Sequence, residues 1–217
     1  MTIPGTAGVA GARSVVLFGV GSALAADYEE TCRRLGVEIA AAVQNRDGEV
    51  WVSQATTLRR LPEIDDELLK VACLSPLFTP ANRRTAWGEA AALGFAAAEP
   101  LVDPSAVIAS TSVVGRGSYV NAGVVIGAST RIGDHAVINR LAGIGHHGVI
   151  GDFVSIGPGA TIAGQARIED DAMIGAGAVV MPKMRVGAGA VVGAGAVVTR
   201  DVPPGALVRG NPARRGP

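Results

Sequence analysis

Two of the chain's three histidines are adjacent, His146-His147. Imidazole gives and takes protons near neutral pH, so this pair is the first candidate for acid–base chemistry. The third, His135, stands apart and reads as a structural residue. A second candidate is the turn Gly19-Val20-Gly21-Ser22, at the end of the apolar run 14–20 (SVVLFGV). A Gly-rich turn between strand and helix points backbone N–H groups and a helix N-terminus at a phosphate. The full dinucleotide fingerprint is missing, because Ala23 and Leu24 follow, and no acidic ribose ligand stands out. A tight turn that binds nothing is the competing reading. Asn45-Arg46-Asp47 closes the next apolar run with groups suited to a base or ribose, or forms an ordinary polar turn.

The elements that must position these residues show first as a rhythm. From Val102 to Val198 a Val or Ile stands at every sixth position, through seventeen hexads. Gly often follows it, as at Gly115, Gly127, Gly145 and Gly157, and the fifth position is mostly Ala or Ser. At 3.6 residues per turn an α-helix would scatter such positions around its cylinder. Short β-segments joined at tight corners fit, with the β-branched residue inward and the Gly expected to supply freedom at the bend. Hexapeptide repeats of this kind mark parallel β-helices. His146 and His147 then hold the third and fourth places of a hexad, at a corner facing outward; a solvated corner pair is the alternative. Upstream, strands are expected at 14–20, 37–43, 68–74 and 95–98, a helix at 23–35, and a helix from Thr79-Pro80 to 93. That order describes a small parallel α/β unit of Rossmann type. The expected division is a flexible tail (1–12), the α/β unit (13–100), the β-helix (101–203) and a C-terminal cap (204–217) that covers the last sheet edge.

Composition narrows the function. Nineteen Lys and Arg balance nineteen Asp and Glu, which argues against nucleic acid or anionic membranes as partners. Aromatic residues are 4% of the chain, as a narrow β-helix core requires. Cys32 and Cys73 show no metal or disulfide spacing, so a reducing compartment is expected. No leader-like N-terminus and no apolar run of about 18 residues is present, and a cytoplasmic protein without membrane insertion is expected.

The hexads, together with Asn139-Arg140, Gly145-His146-His147-Gly148, Pro158-Gly159-Ala160, Ala163-Gly164 and Gly210-Asn211-Pro212-Ala213-Arg214, resemble the hexapeptide-repeat acyltransferases. The likeness covers nearly all the chain. It is narrowest to the sialic acid O-acetyltransferases and the N-acetyltransferases of nucleotide-linked 4-amino sugars, the perosamine type above all. The resemblance implies a Rossmann-like N-terminal domain, a left-handed parallel β-helix of three hexads per coil, a homotrimer, and acetyl-CoA as cosubstrate without a metal. It implies that His146 is the catalytic base and that backbone at Gly164, Ala176 and Ala194 holds the acetyl group and pantetheine. Arg214 falls on the coenzyme side. Asn139, Arg140 and His147 fall on the sugar side, and the loops bearing Gly19, Gly21, Ser22, Asn45 and Arg46 hold the nucleotide. With an eighteen-residue coil, Gly164 occupies the corner of His146 one coil on, about 4.8 Å away. Arg140, Pro158, Ala176 and Ala194 form another column. In two places the chain departs from the pattern. His147 stands where Asp or Glu usually orients the base, and Ser155 stands where a second His contacts the thioester.

The expected reaction is therefore acetyl transfer to the 4-amino group of a nucleotide-linked 4-amino-6-deoxy sugar, GDP-perosamine-like or UDP-linked, for surface polysaccharide. O-acetylation of a sialic acid is the nearest rival. A zinc β-helix carbonic anhydrase needs three separated histidines, which an adjacent pair supplies poorly. An ice-binding β-helix needs rows of Thr, and Thr111, Thr130, Thr161 and Thr199 are scattered.

Overall fold

The computed structural model describes residues 14–216; the expected tail, 1–12, lies outside the described residues. The described residues open with β1 (Ser14–Phe18), α1 (Leu24–Leu35), β2 (Glu38–Gln44), β3 (Leu58–Arg60), α2 (Asp66–Leu69), β4 (Cys73–Leu74) and α3 (Pro80–Leu93). The four strands form a parallel sheet in the order β3-β2-β1-β4. β1 is an unbroken apolar run because elements cover both its faces. α1 stops at Gly36, whose φ of 68° is the left-handed cap that favours glycine. Pro80 opens α3 as expected, although the Thr79 side chain makes no capping bond.

Two expectations are corrected here and one strand is added. In the run 68–74, Leu68 and Leu69 belong to α2, because Asp65 accepts the Leu68 N–H at 2.8 Å and starts a helix; only Cys73–Leu74 pair with β1. Residues 95–98 supply a single bridge, Ala97 to Cys73, rather than a strand. β3 went unforeseen because Leu58-Arg59-Arg60 is exposed and has no apolar pattern.

From Leu101 onward each hexad contributes one two-residue strand, paired in parallel with the strands 18 residues before and after, as Ile144 with Ile126 and Ile162. Three hexads thus close one coil, and the coils stack into a left-handed β-helix with three sheet faces. The first face carries Leu101–Val102, Tyr119–Val120, Val137–Ile138 and their successors, the second Val107–Ile108 through Val197–Val198, the third Val113–Val114 through Arg185–Val186. The hexad leaders and the fifth-position alanines fill one core; Ile138, Ile156 and Ile174 are wholly buried. Leu207–Arg209 extends the first face, and Arg214–Arg215 turns back antiparallel on it, closing the last edge.

The glycines at the second hexad position serve a different purpose from the expected one. Left-handed backbone falls at the fourth position of the hexad, where His135, Leu141, His147 and Phe153 have φ between 54° and 59°. The second-position glycines give space: a Cβ on Gly145 would stand 2.5 Å from the Gly164 nitrogen, and one on Gly157 would stand 2.6 Å from that of Ala176. Coil-to-coil closeness, not bend freedom, excludes side chains there.

The α/β unit sits on the first face. Leu101, Tyr119 and Val137 point out of the β-helix and join Leu17, Tyr28 and Leu74 in one buried cluster. On the α3 side the joint is polar. Arg83 is fully buried and, among the described residues, has no carboxylate partner. It donates to the carbonyls of His135 (2.7 Å), Leu77 (2.5 Å), Phe78 (2.9 Å), Phe153 (2.6 Å) and Val154 (3.2 Å), and to Ser155 Oγ (3.0 Å). Burial pushes its pKa down to about 10. Beside it the His135 ring is stacked between Trp87 (4.4 Å) and Phe153 (4.8 Å), and Arg84 covers Phe153 while pairing with Asp171.

Candidate active site

His146 follows the second-face strand Gly143–Ile144 and precedes the third-face strand Val149–Ile150. It therefore stands on the edge between those faces. In a three-sided coil that edge lies opposite the first face, which the α/β unit covers. The ladder pins the backbone: His147 N–H donates to Ala128 O (2.8 Å), and His146 O accepts from Gln165 N–H (2.9 Å).

The His146 ring lies over Gly164. A Cβ at 164 would stand 2.8 Å from Nε2 and 2.9 Å from Cε1, so only a bare backbone fits beneath the imidazole. Among the described residues no acceptor takes the Gly164 N–H, so it remains a free donor next to the imidazole. The edge between the third and first faces differs. There Asp152 accepts the Asp134 N–H (2.8 Å) and Asp170 the Asp152 N–H (2.9 Å) at the same hexad position. The second histidine touches the first: Nδ1 of His146 and Nδ1 of His147 are 3.0 Å apart, with the rings at 85°. Two such nitrogens share one proton. When His146 holds it, its Nε2 presents a lone pair over Gly164. A base, a free N–H and an open corner together can carry acyl transfer.

A second feature lies in the α/β unit. A cleft of about 320 Å³ opens at the carboxyl ends of β1 and β2, lined by Gly19, Gly21, Asn45 and Arg46, with Asn82 and Thr85 of α3 opposite. In parallel α/β sheets ligands enter at that end of the strands.

Comparison with known proteins fits these features. Residues 165–200 match the family model described as bacterial transferase hexapeptide (six repeats). A search among curated proteins finds no match. Among solved structures, the acetyltransferase domain of PglB from Neisseria gonorrhoeae FA1090, in complex with acetyl coenzyme A, is 30% identical, with 94% of this chain and 99% of that chain covered and a TM-score of 0.82. PerB from Caulobacter crescentus, in complex with CoA and GDP-perosamine, is 30% identical over 94% and 97% of the two chains, with a TM-score of 0.83. WeeI from Acinetobacter baumannii AYE is 25% identical over 94% and 98%, with a TM-score of 0.81. The chain belongs to the hexapeptide-repeat acetyltransferases. Within them it stands with the acetyl-CoA-dependent sugar N-acetyltransferases of the PglB, PerB and WeeI group.

For this acetyltransferase the structure brings together His146, His147 and Gly164, as the coil period anticipates. It separates them from the rest of the expected set. Asn139, Arg140, Ala176 and Ala194 lie on the edge between the first and second faces. There Asn139 Oδ1 accepts from Asn121 (3.0 Å), and Arg140 pairs with Asp27 of α1. Arg214 is exposed in the terminal strand. Ser22 does not line the cleft; its Oγ accepts the Leu24 N–H at 3.3 Å at the start of α1. Ser155 is the clearest correction. It is wholly buried, donates to the Phe78 carbonyl and accepts from Arg83, so it offers a thioester no surface. Its neighbour α3 brought it inside, and nothing in the hexad rhythm signals that. Arg83 and Glu89 were missed as well. The one signal for Arg83 was its place with Pro80, Ala86 and Ala90 on the buried face of α3. Among the described residues no group of His, Cys, Asp or Glu is placed to hold a metal ion, and no helix is long and apolar enough to cross a membrane.

Proposed function

We propose that the chain acetylates the 4-amino group of a nucleotide-linked 4-amino-6-deoxy sugar, GDP-perosamine-like or UDP-linked, in cytoplasmic synthesis of a surface polysaccharide. The observation that carries this is the His146 ring over the free Gly164 N–H. His146 Nε2 takes a proton from the sugar amine as the nitrogen attacks the thioester carbonyl. The carbonyl oxygen becomes an oxyanion and accepts from the Gly164 N–H. The C–S bond then breaks, and the thiolate of coenzyme A takes the proton back from Nε2. His147 Nδ1 holds the other side of the base in register. The sugar's nucleotide fits the cleft lined by Gly19, Gly21, Asn45 and Arg46, and PerB, which binds GDP-perosamine, supports that class of acceptor.

The same reading includes a homotrimer. The second face turns Val107, Val125, Val179 and Val197 outward, with Val107 63% and Val125 52% exposed in the single chain. The third face turns out Arg131, Arg167 and Arg185 among Val113 and Val149. An uncovered apolar sheet face favours burial against another copy. The His146 column and the Ala176–Ala194 column flank that face on its two edges. Packing around a three-fold axis sets one copy's histidine edge against its neighbour's alanine column and makes a groove for pantetheine.

The test is thiol release from acetyl-CoA with GDP-perosamine, a UDP-linked 4-amino sugar and free sialic acid side by side, for the parent and Gly164→Val. Turnover with an amino sugar, lost in Gly164→Val, is expected. Turnover with sialic acid alone overturns the amine acceptor, and normal turnover in Gly164→Val overturns the assigned corner.

A further inference from the structure

The polar wall of the cleft in the α/β unit is held from behind. Glu89 of α3 does not line the cleft, and its side chain is 29% exposed. It accepts from Asn45 Nδ2 at 2.8 Å and from Arg46 Nη1 at 3.1 Å, and it pairs with Arg46 Nη2. A carboxylate only accepts hydrogen bonds, so this contact decides which way the Asn45 amide lies. The NH2 must face Glu89, and Oδ1 must face away. That oxygen is found against Gly19, 3.5 Å from where a Gly19 Cβ would stand, on the wall of the cleft. Glu89 stays ionised. Burial pushes its pKa up, but the hydrogen bonds from Asn45 and Arg46 and the Arg46 charge outweigh burial and hold it below the ordinary value.

We propose that Glu89 is a positioning residue for substrate recognition: it presets Asn45 Oδ1 as a hydrogen-bond acceptor inside the cleft and holds Arg46 at the rim. This rests on the cleft being the nucleotide site. The ligand then brings a donor, a base N–H or a ribose hydroxyl, to Asn45, and an anion to Arg46. Without Glu89 the amide is free to turn its NH2 into the cleft. Both side chains must also be ordered when the ligand arrives, a cost that a prearranged site avoids.

The experiment is calorimetric titration of the full chain with GDP and with UDP. The variants are Glu89→Ala, Glu89→Gln, Asn45→Ala with Arg46→Ala, and the triple combination. Glu89→Ala is expected to weaken the tighter nucleotide about tenfold, the effect of losing prearrangement of two side chains, with acetyl-CoA binding and melting temperature unchanged. Glu89→Gln, whose amide oxygen still accepts from Asn45, loses less. Glu89→Ala adds nothing once Asn45 and Arg46 are gone, because it acts through them. Equal binding by Glu89→Ala and parent overturns the inference, as does an undiminished loss in the triple variant. A parent that binds neither nucleotide overturns the nucleotide reading, and this inference falls with it.

Discussion

His135 and His147 occupy the same place in the repeat. Each is the fourth residue of a hexad, and their φ angles are 54° and 56°. His135 lies at the edge between the third and first faces, where α3 covers it; it is 6% exposed and stacked between Trp87 and Phe153. His147 lies at the edge farthest from the α/β unit, exposed, with Nδ1 against that of His146. The backbone N–H groups beside them diverge too. Around His135 the third-position N–H groups are taken by the aspartate of the next coil, and beside His146 the Gly164 N–H is free. The repeat sets the backbone at both edges. What packs on an edge decides whether a histidine there is structural filling or available for chemistry.

Four experiments break or sharpen that contrast. The largest effect is expected from His146→Ala, which removes the proposed base from the open edge. It should lower kcat about 10²- to 10⁴-fold, the usual cost of losing a general base, with acetyl-CoA affinity and melting temperature intact. Turnover within a few-fold of the parent would mean the open edge is not where protons move.

Arg83→Ala attacks the covered edge. It leaves five carbonyls and Ser155 without their donor in a buried joint. Unpaired buried acceptors cost about 1–3 kcal/mol each, partly relieved by water, so a loss of about 3–5 kcal/mol in denaturant-measured stability is expected. A loss below about 1 kcal/mol would show that the α/β unit is not bolted to the coil through this residue.

His147→Ala should cost about tenfold in kcat, roughly 1.4 kcal/mol, and less than His146→Ala, because in the proposed mechanism His147 acts through its neighbour. Equal damage from the two variants would reverse the roles of base and helper.

The smallest effect concerns His135. Burial pushes its pKa down to about 4 from an ordinary 6.5. The folded chain thus binds fewer protons than the unfolded chain between those values. The stability contributed by this group is fully present above about pH 6.5, is lost as pH falls toward 4, and levels below. His135→Phe, which keeps the stacking but cannot titrate, should show a shallower decline in urea midpoint between pH 7 and pH 4.5. Parallel declines for parent and variant would place the pH sensitivity elsewhere.

Much of the molecule was legible without its structure, for a stated reason. A period of six with β-branched leaders has one stable solution, because each inward residue must meet its counterpart in the next coil. The hexads therefore specified strands and core, and the eighteen-residue coil that the family resemblance implies placed Gly164 under His146. The order of the α/β unit was legible from apolar runs, except where Asp65 starts a helix inside one, where residues 95–98 give a single bridge, and where β3 shows no pattern. Periodicity is silent about what covers a face. Ser155 and His135 are outward-facing hexad residues by rhythm, and both are buried because α3 lies on them. The same coil length sets Arg140 and Ala176 in a column apart from His146, but that this column borders the α/β unit, where Arg140 pairs with Asp27, follows only from the tertiary structure. The hydrogen bond that turns Asn45 toward Glu89 joins residues 44 apart in sequence. Local propensity and period act over one strand or one coil, and these choices are made by contacts between distant elements, so tertiary structure alone decides them.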